Sequence, residues 1–411
     1  MKVLHINKSQ SGGAALCAIR INKALVEKGI ESRILFGEGN SMPEGVKGAI
    51  ALPDVVFWNK NIFLRAIKKF FRLFGIWLVD VEKFYYQLQK ANESQLFVHQ
   101  PLSSYKNITS HPLVEWADII HLHWVSDFID YPTFFQAIKK PIVWTLHDKY
   151  PAVGVMHYCS AFHPIPVKLQ HFDAYCRKIK RESISQTKNL HIVAISEMMT
   201  DICHHSDVIG SFPVTMIHNG VDTTLFRSYD KNEARQLIGL KADCVIFLFC
   251  SLYMHDTNKG LERAIVALEK VDIPNMALIC IGQKPENTSL SCAFPIIFTG
   301  IIQNHSHLAM HYSAADYFLL CSYEETFAQT PLEAMACGTP VISTPCSGAK
   351  DIIRPFNGVV CKDFDADAIA EGIREAWGRL YKSHEIRQFV EDHFSYDIIA
   401  QQYIDLYKSI I

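Results

Sequence analysis

The chain opens with apolar Val3, Leu4 and Ile6, then Gly12-Gly13, then Ala14, Ala18, Ile21 and Leu25 at helical spacing. Gly29 stands where a helix C-cap is expected, and a second apolar run follows at 32–36. This order predicts strand, glycine turn, helix and strand, a βαβ unit with parallel pairing. Further strand patterns stand at 119–122, 142–146 and 192–195. Around 209–226 the periodicity breaks at Pro213 and the turn Asn219-Gly220, which places a domain boundary between 1–212 and 213–393. The second half repeats the alternation, with strands expected at 245–250, 277–281, 296–298, 317–320 and 341–343. Its helices are expected from Gly260, at 307–314, at 331–337 and from about 367. An amphipathic pattern at 396–407 closes the chain, and 394–411 is expected to pack back on the first domain. The expected fold class is α/β, with two Rossmann-like doubly wound domains facing across a cleft. A ligand is expected in that cleft, at the C-terminal ends of the strands.

One segment departs from this alternation. Lys60, Arg65, Lys68, Lys69 and Arg72 are interleaved with Ile62, Phe63, Leu64, Ile67, Phe70, Phe71 and Leu73. Residues 55–75 therefore read as a basic amphipathic helix, lying either on a membrane surface or on its own domain. At 411 residues, two domains are the default, and 49% hydrophobic with 20% charged residues suits a folded chain. The longest apolar run, 245–254, falls short of the roughly 18 residues of a membrane span. The expected location is cytoplasmic, and the membrane-surface reading of 55–75 would make the chain peripheral on the cytoplasmic membrane face. Residues 1–200 hold 24 Lys and Arg against 16 Asp and Glu, and the remainder 16 against 26. That asymmetry points to an anionic partner of the first half, a lipid phosphate or an anionic substrate. Nucleic acid fits poorly, since no long basic run or recognition motif occurs.

The twelve cysteines are scattered, as reduced, packed thiols are. His157, Cys159, His163, His171 and Cys176 form a His/Cys-rich stretch whose spacing matches no standard zinc pattern. Asp365-Ala366-Asp367 precedes a helix, so capping explains it better than metal binding. No catalytic metal and no cofactor is expected.

The strongest signal is residues 325–340, ETFAQTPLEAMACGTP. It reads as a loop entering a helix, with Thr330 able to N-cap, Pro331 at the first position and Gly338 ending it. Free amides at such a terminus suit phosphate, while the carboxylates of Glu325 and Glu333 suit sugar and ribose hydroxyls. The pattern thus predicts a ligand with a phosphate centre and hydroxyl-rich ends.

Glu325 and Glu333, eight positions apart and followed by Ala334-Met335-Ala336-Cys337-Gly338-Thr339-Pro340, resemble the E-x7-E signature of family-4 retaining glycosyltransferases of GT-B fold. Gly12-Gly13-Ala14, His121-Leu122-His123-Trp124, Thr145-Leu146-His147-Asp148, Asn219-Gly220-Val221-Asp222 and Lys259-Gly260 resemble further family segments, in the family's order. The resemblance covers nearly the whole chain and looks closest to bacterial enzymes of O-antigen, capsule or exopolysaccharide synthesis. It implies a UDP- or GDP-sugar donor and a glycan or lipid-linked glycan acceptor. By it, Glu325 would hold donor-sugar hydroxyls, Glu333 the ribose, and the amides of Phe327, Ala328, Gln329 and Thr330 the diphosphate. Lys259 would neutralise the leaving diphosphate, Gly12 and Gly13 would let backbone approach it, and His123 would orient the reacting sugar. Gly300 would lie near the base. In the front-face mechanism proposed for such enzymes a donor phosphate oxygen deprotonates the acceptor, so no protein base is obligatory.

Two departures stand out. Cys250-Ser251-Leu252 occupies the place of the family's usual arginine, and Ser347-Gly348-Ala349-Lys350-Asp351 that of a glutamate after paired glycines. His147, Ser251 and Lys350 are secondary candidates for the site. Two other readings of the same fold are a catalytically silent nucleotide-sugar-binding scaffold, which the missing arginine favours, and a sugar-nucleotide epimerase. The latter needs additional acid/base carboxylates, and no such cluster stands out. The first glycine turn is not GxGxxG, which argues against an oxidoreductase.

Overall fold

A computed structural model describes residues 1–37, 49–51, 98–103, 106–158, 160–239, 243–284 and 292–411. The basic segment 55–75 and Cys159 lie outside the described residues.

The first sheet comprises β1 (Lys2–Asn7), β2 (Glu31–Phe36), β3 (Ala49–Ala51), β4 (Ile119–Leu122), β5 (Ile142–Leu146), β6 (Leu190–Ala194) and β7 (Val214–Met216). Among the described residues its order is β3-β2-β1-β4-β5-β6-β7, with every pair parallel. The second comprises β8 (Val245–Tyr253), β9 (Met276–Gln283), β10 (Ile296–Gly300), β11 (Tyr317–Leu320), β12 (Val341–Ser343) and β13 (Gly358–Val360). Its order is β10-β9-β8-β11-β12-β13, again all parallel. Both orders are doubly wound. Helices cover both faces of such sheets, so the central strands read as continuous apolar runs instead of alternating ones. The strand order reverses between β1 and β4 and between β8 and β11, and connections leaving opposite faces open a crevice there.

Three helices bear on the cleft and on the way the domains join: α1 (Gly13–Glu27), α2 (Gln329–Ala336) and α3 (Tyr396–Ile410). The C-terminal helix α3 packs on the first domain, where Ile399, Tyr403 and Tyr407 form one buried cluster with Val3, Ile21, Leu25, Ile119 and Val143. The chain's two crossings between domains run side by side, with Val221 N donating to Phe394 O at 2.8 Å and Tyr396 N to Val221 O at 3.2 Å.

Two sequence expectations are corrected. The boundary at 212/213 falls one strand early, because β7 pairs with β6 through Ile192↔Val214 and Ala194↔Met216. Pro213 does break the pattern, but proline is tolerated just before an edge strand, and a partly exposed three-residue strand carries little apolar signal. Second, α2 starts two residues early: Ala328 is its N-cap, without a side-chain capping bond, and Thr330 and Pro331 lie in the first turn. Proline is tolerated throughout a first turn, where its missing N–H has no intrahelical acceptor.

Candidate active site in the interdomain cleft

Two cavities share a wall where the sheets' C-terminal edges meet. One, of about 400 Å³, is lined by Ser251, Lys259 and Glu325 to Thr330 of the second domain and by Gly13, His147 and Tyr158 of the first. The other, of about 600 Å³, lies towards the first domain and includes Asn7, Gly12, Trp124, Asp148 and His157. His147, Tyr158, Glu325 and Thr326 line both.

On the second-domain side, buried Asn258 staples two loops together. Its amide donates to Glu324 O at 3.1 Å and its carbonyl accepts from Glu324 N at 3.0 Å. Gly260 lets the chain turn sharply beside Lys259: its φ is +78°, and a Cβ there would meet Cys321 O at 2.4 Å. The result is that Lys259 Nζ lies 2.7 Å from Glu325 Oε1, which also accepts from Ser322 Oγ at 2.7 Å. Oε2 has no partner among the described residues. Burial alone would lower the Lys259 pKa, but Glu325, together with Tyr158 and Asp256, outweighs it and raises it, so the ammonium persists. Beside this pair, the Gln329 and Thr330 amides at the start of α2 have no intrahelical acceptor. A cation, free amides and the positive end of a helix converge on one cavity, which suits an anion. Among its described lining residues Lys259 is the one lysine or arginine.

Glu333 is not on that wall. It is buried, with Oε1 3.3 Å from Arg20 of α1 and Oε2 accepting from Tyr312 at 3.2 Å. Burial raises its pKa and Arg20 pulls it partly back. Gly300, with φ +75°, ends β10 and lines neither cavity. Lys350 is also outside both, on the exposed side of the helix Ser347–Ile352, whose neighbouring Asp351 turns inward to accept from Glu197 N at 2.8 Å.

On the first-domain side it is His147, and not His123, that lines the cavities. His123 lies behind the wall, with Nε2 2.9 Å from His5 Nδ1 and Nδ1 2.9 Å from His147 Nε2. His147 is the ring in the cavities, half-buried, its Nδ1 without a partner among the described residues. Strand register explains the stack: β1 and β4 pair His5 with His121, and His123 and His147 follow at the ends of β4 and β5. His5, His121 and His123 carry ring nitrogens within 4.8 Å of one another. Hydrogen bonding accounts for that proximity, because Tyr407 and Thr145 hydroxyls occupy both nitrogens of His121, at 2.6 and 2.7 Å. The His/Cys-rich stretch disperses. His157 bridges Asp148 and His99 at 2.6 Å each, His163 faces Glu324 at 3.3 Å, His171 is exposed, and Cys176 packs with Val155, Leu169 and Phe172.

Burial lowers the pKa of His5 to about 3 and of His147 to about 4, against an ordinary 6.5. Between pH 6.5 and 4 the unfolded chain therefore takes up protons that these rings refuse, so stability falls as pH drops through that window. Urea titrations at pH 7 and pH 4.5 should show a lower midpoint at pH 4.5, and His147→Gln should reduce the difference.

Sequence reading missed Arg20, Tyr158 and His5. His5 alone left a trace, as a polar residue between Leu4 and Ile6 in a central strand. The domains also meet through the buried Lys149–Glu324 ion pair and through Thr326 Oγ1, which donates to His147 O at 2.8 Å.

Residues 11–225 match the model described as Glycosyltransferase Family 4, and residues 230–379 that of Glycosyl transferases group 1. An uncharacterized glycosyltransferase of Methanocaldococcus jannaschii is 26% identical over 317 residues, covering 72% of this chain and 76% of that protein. D-inositol 3-phosphate glycosyltransferase 1 of Catenulispora acidiphila is 27% identical over 205 residues, covering 44% of this chain and 49% of its own. Among solved structures, sucrose-phosphate synthase of Thermosynechococcus elongatus superposes with TM-score 0.66 at 19% identity, covering 100% of this chain and 99% of that one. HepE of Anabaena, solved with UDP and glucose, superposes with TM-score 0.64 at 17% identity and full coverage of both chains. Among the described residues no helix is long and apolar enough to cross a membrane. The family models together account for both domains and the cleft between them: the chain belongs to glycosyltransferase family 4 and has the GT-B fold.

Proposed function

We propose that this protein is a retaining glycosyltransferase that moves a hexose-type unit from a UDP- or GDP-sugar to a hydroxyl of a glycan or lipid-linked glycan, in surface-polysaccharide synthesis. The observation that carries this reading is the Lys259–Glu325 pair beside the uncapped start of α2, in a cavity of about 400 Å³. The anion site fits the diphosphate, and the open Oε2 of Glu325 fits a sugar hydroxyl. That HepE was solved with UDP and glucose supports a nucleotide-sugar donor. The larger cavity, with Trp124, Asp148 and His157, offers the acceptor an aromatic face and polar partners.

In this reading Lys259 and the α2 amides stabilise charge as the diphosphate leaves, which makes electrostatic preorganisation and positioning the protein's main contributions. His147 stands next to the reacting sugar in place of His123. No metal takes part. Glu333 reaches a ribose after exchanging Arg20 for it, so donor binding and the α1–α2 contact are coupled. Donor binding without turnover is the second reading, favoured by Lys259 being the one lysine or arginine among the described lining residues of the cavity.

Calorimetric titration with UDP, GDP and their sugars, with and without EDTA, tests the site. The expected result is micromolar binding of one nucleotide family, insensitive to EDTA and weakened about tenfold by Glu333→Ala, the weight of one hydrogen bond. A folded wild type that binds none of them removes the assignment. Tight binding without transfer to any glycan or hydrolysis favours the second reading.

A further inference from the structure

His5, His123 and His147 form an unbroken row from inside the first sheet to the cleft. His5 Nδ1 meets His123 Nε2 at 2.9 Å, and His123 Nδ1 meets His147 Nε2 at 2.9 Å. The rings lie nearly parallel, with interplanar angles of 24° and 20°. At the inner end His5 Nε2 is buried without a partner among the described residues. At the outer end His147 Nδ1 has none among the described residues, and the ring lines both cavities.

The linkage permits only two proton arrangements. Burial keeps all three rings neutral, so each carries one N–H. If His5 donates from Nδ1, His123 accepts at Nε2, must carry its proton on Nδ1, and donates to His147 Nε2. His147 is then protonated on Nδ1. The alternative reverses both bonds and puts every proton on Nε2. A mixed set breaks a buried hydrogen bond.

We propose that His5, His123 and His147 act as one tautomeric unit with the proton on Nδ1 throughout, so that His147 presents an N–H donor to the cleft. One observation chooses this direction. The carboxylates of Asp148 and Glu325 line the cavity with His147, and negative charge there favours an N–H pointing outward. His5 and His123 are positioning residues, acting through His147. The inner end is closed, so a proton entering at His147 could leave only by creating a buried imidazolium at His5. The row therefore orients a donor for a sugar hydroxyl oxygen and does not serve as a base. The functional consequence rests on the reading of His147 as the sugar-facing ring, but the tautomers can be measured without turnover.

Long-range ¹H–¹⁵N spectra of the ¹⁵N-histidine-labelled protein decide the matter, with signals assigned by their loss in His5→Leu, His123→Gln and His147→Gln. The expected wild-type result is Nδ1–H on all three rings. Nε2–H on all three overturns the direction, and a mixture overturns the unit. His5→Leu should let His147 populate both tautomers and lower kcat about five- to tenfold, the weight of one hydrogen bond, at unchanged donor KM. His5→Asn, whose amide nitrogen can stand in for Nδ1, should restore both the tautomer and the rate. An unchanged His147 spectrum in His5→Leu removes the role of His5. If the tautomers are as expected but no donor is turned over, the proposed function fails and the row stands.

Discussion

Lys259→Ala is expected to lower kcat/KM about 100- to 1,000-fold, with the fold intact. Removing one preorganised donor from developing negative charge typically has this effect. The effect belongs at the upper end here because Lys259 is the one lysine or arginine among the described lining residues of the cavity. The arginine usual in the family is replaced by Cys250-Ser251-Leu252, so no second side-chain cation of that kind shares the charge. Lys259→Arg should recover only part of the loss, since a planar guanidinium does not reproduce a point charge held 2.7 Å from Glu325. The loss should fall on kcat more than on donor KM, because the charge on the diphosphate grows as the glycosidic bond breaks. Steady-state kinetics with the donor identified by calorimetry, alongside circular dichroism, provide the check. A variant within threefold of wild type would mean that Lys259 serves only as the ion-pair partner of Glu325.

Glu325→Gln should lower kcat/KM about 10- to 100-fold, the range expected for losing a hydrogen bond to a charged group. Glu325 Oε1 is taken by Lys259 and Ser322, so Oε2 is the atom available to a ligand. Glutamine preserves the shape but not the charge, weakening both the sugar contact and the hold on Lys259. The two changes should therefore be strongly non-additive, because the side chains share one hydrogen bond. A double variant only slightly worse than Lys259→Ala is the expected outcome. Full additivity would show that the pair seen without ligand separates on donor binding.

Much of the architecture was legible from local pattern. Buried parallel strands must be apolar, and their connecting helices need a stripe at 3.6-residue spacing, so both domains and the loop-to-helix motif that follows Glu325 could be read residue by residue. The boundary was less legible, because β7 is a short, half-exposed edge strand whose identity comes from its partner β6. The start of α2 was misplaced because a helix N-terminus is set by where the backbone turns, and the Thr330-Pro331 signal is compatible with several positions in the first turn.

The site divides along the same line. Lys259, Glu325 and the start of α2 belong to local motifs that the sequence singled out, and in the structure they line one cavity. Which histidine faces the cleft was decided by strand register: the adjacency of β1, β4 and β5 stacks His5, His123 and His147 across the sheet, leaving only the last in the cavities. The same holds for Glu333, which Arg20 draws away from the cavity wall from 313 positions earlier in the chain. Sequence by itself determined the two domains, their strand–helix alternation and the loop-to-helix motif, because those depend on neighbours along the chain. Tertiary structure alone decided which side chains share hydrogen bonds across sheets and domains, because such partners are set by packing between distant segments and leave no period in the sequence.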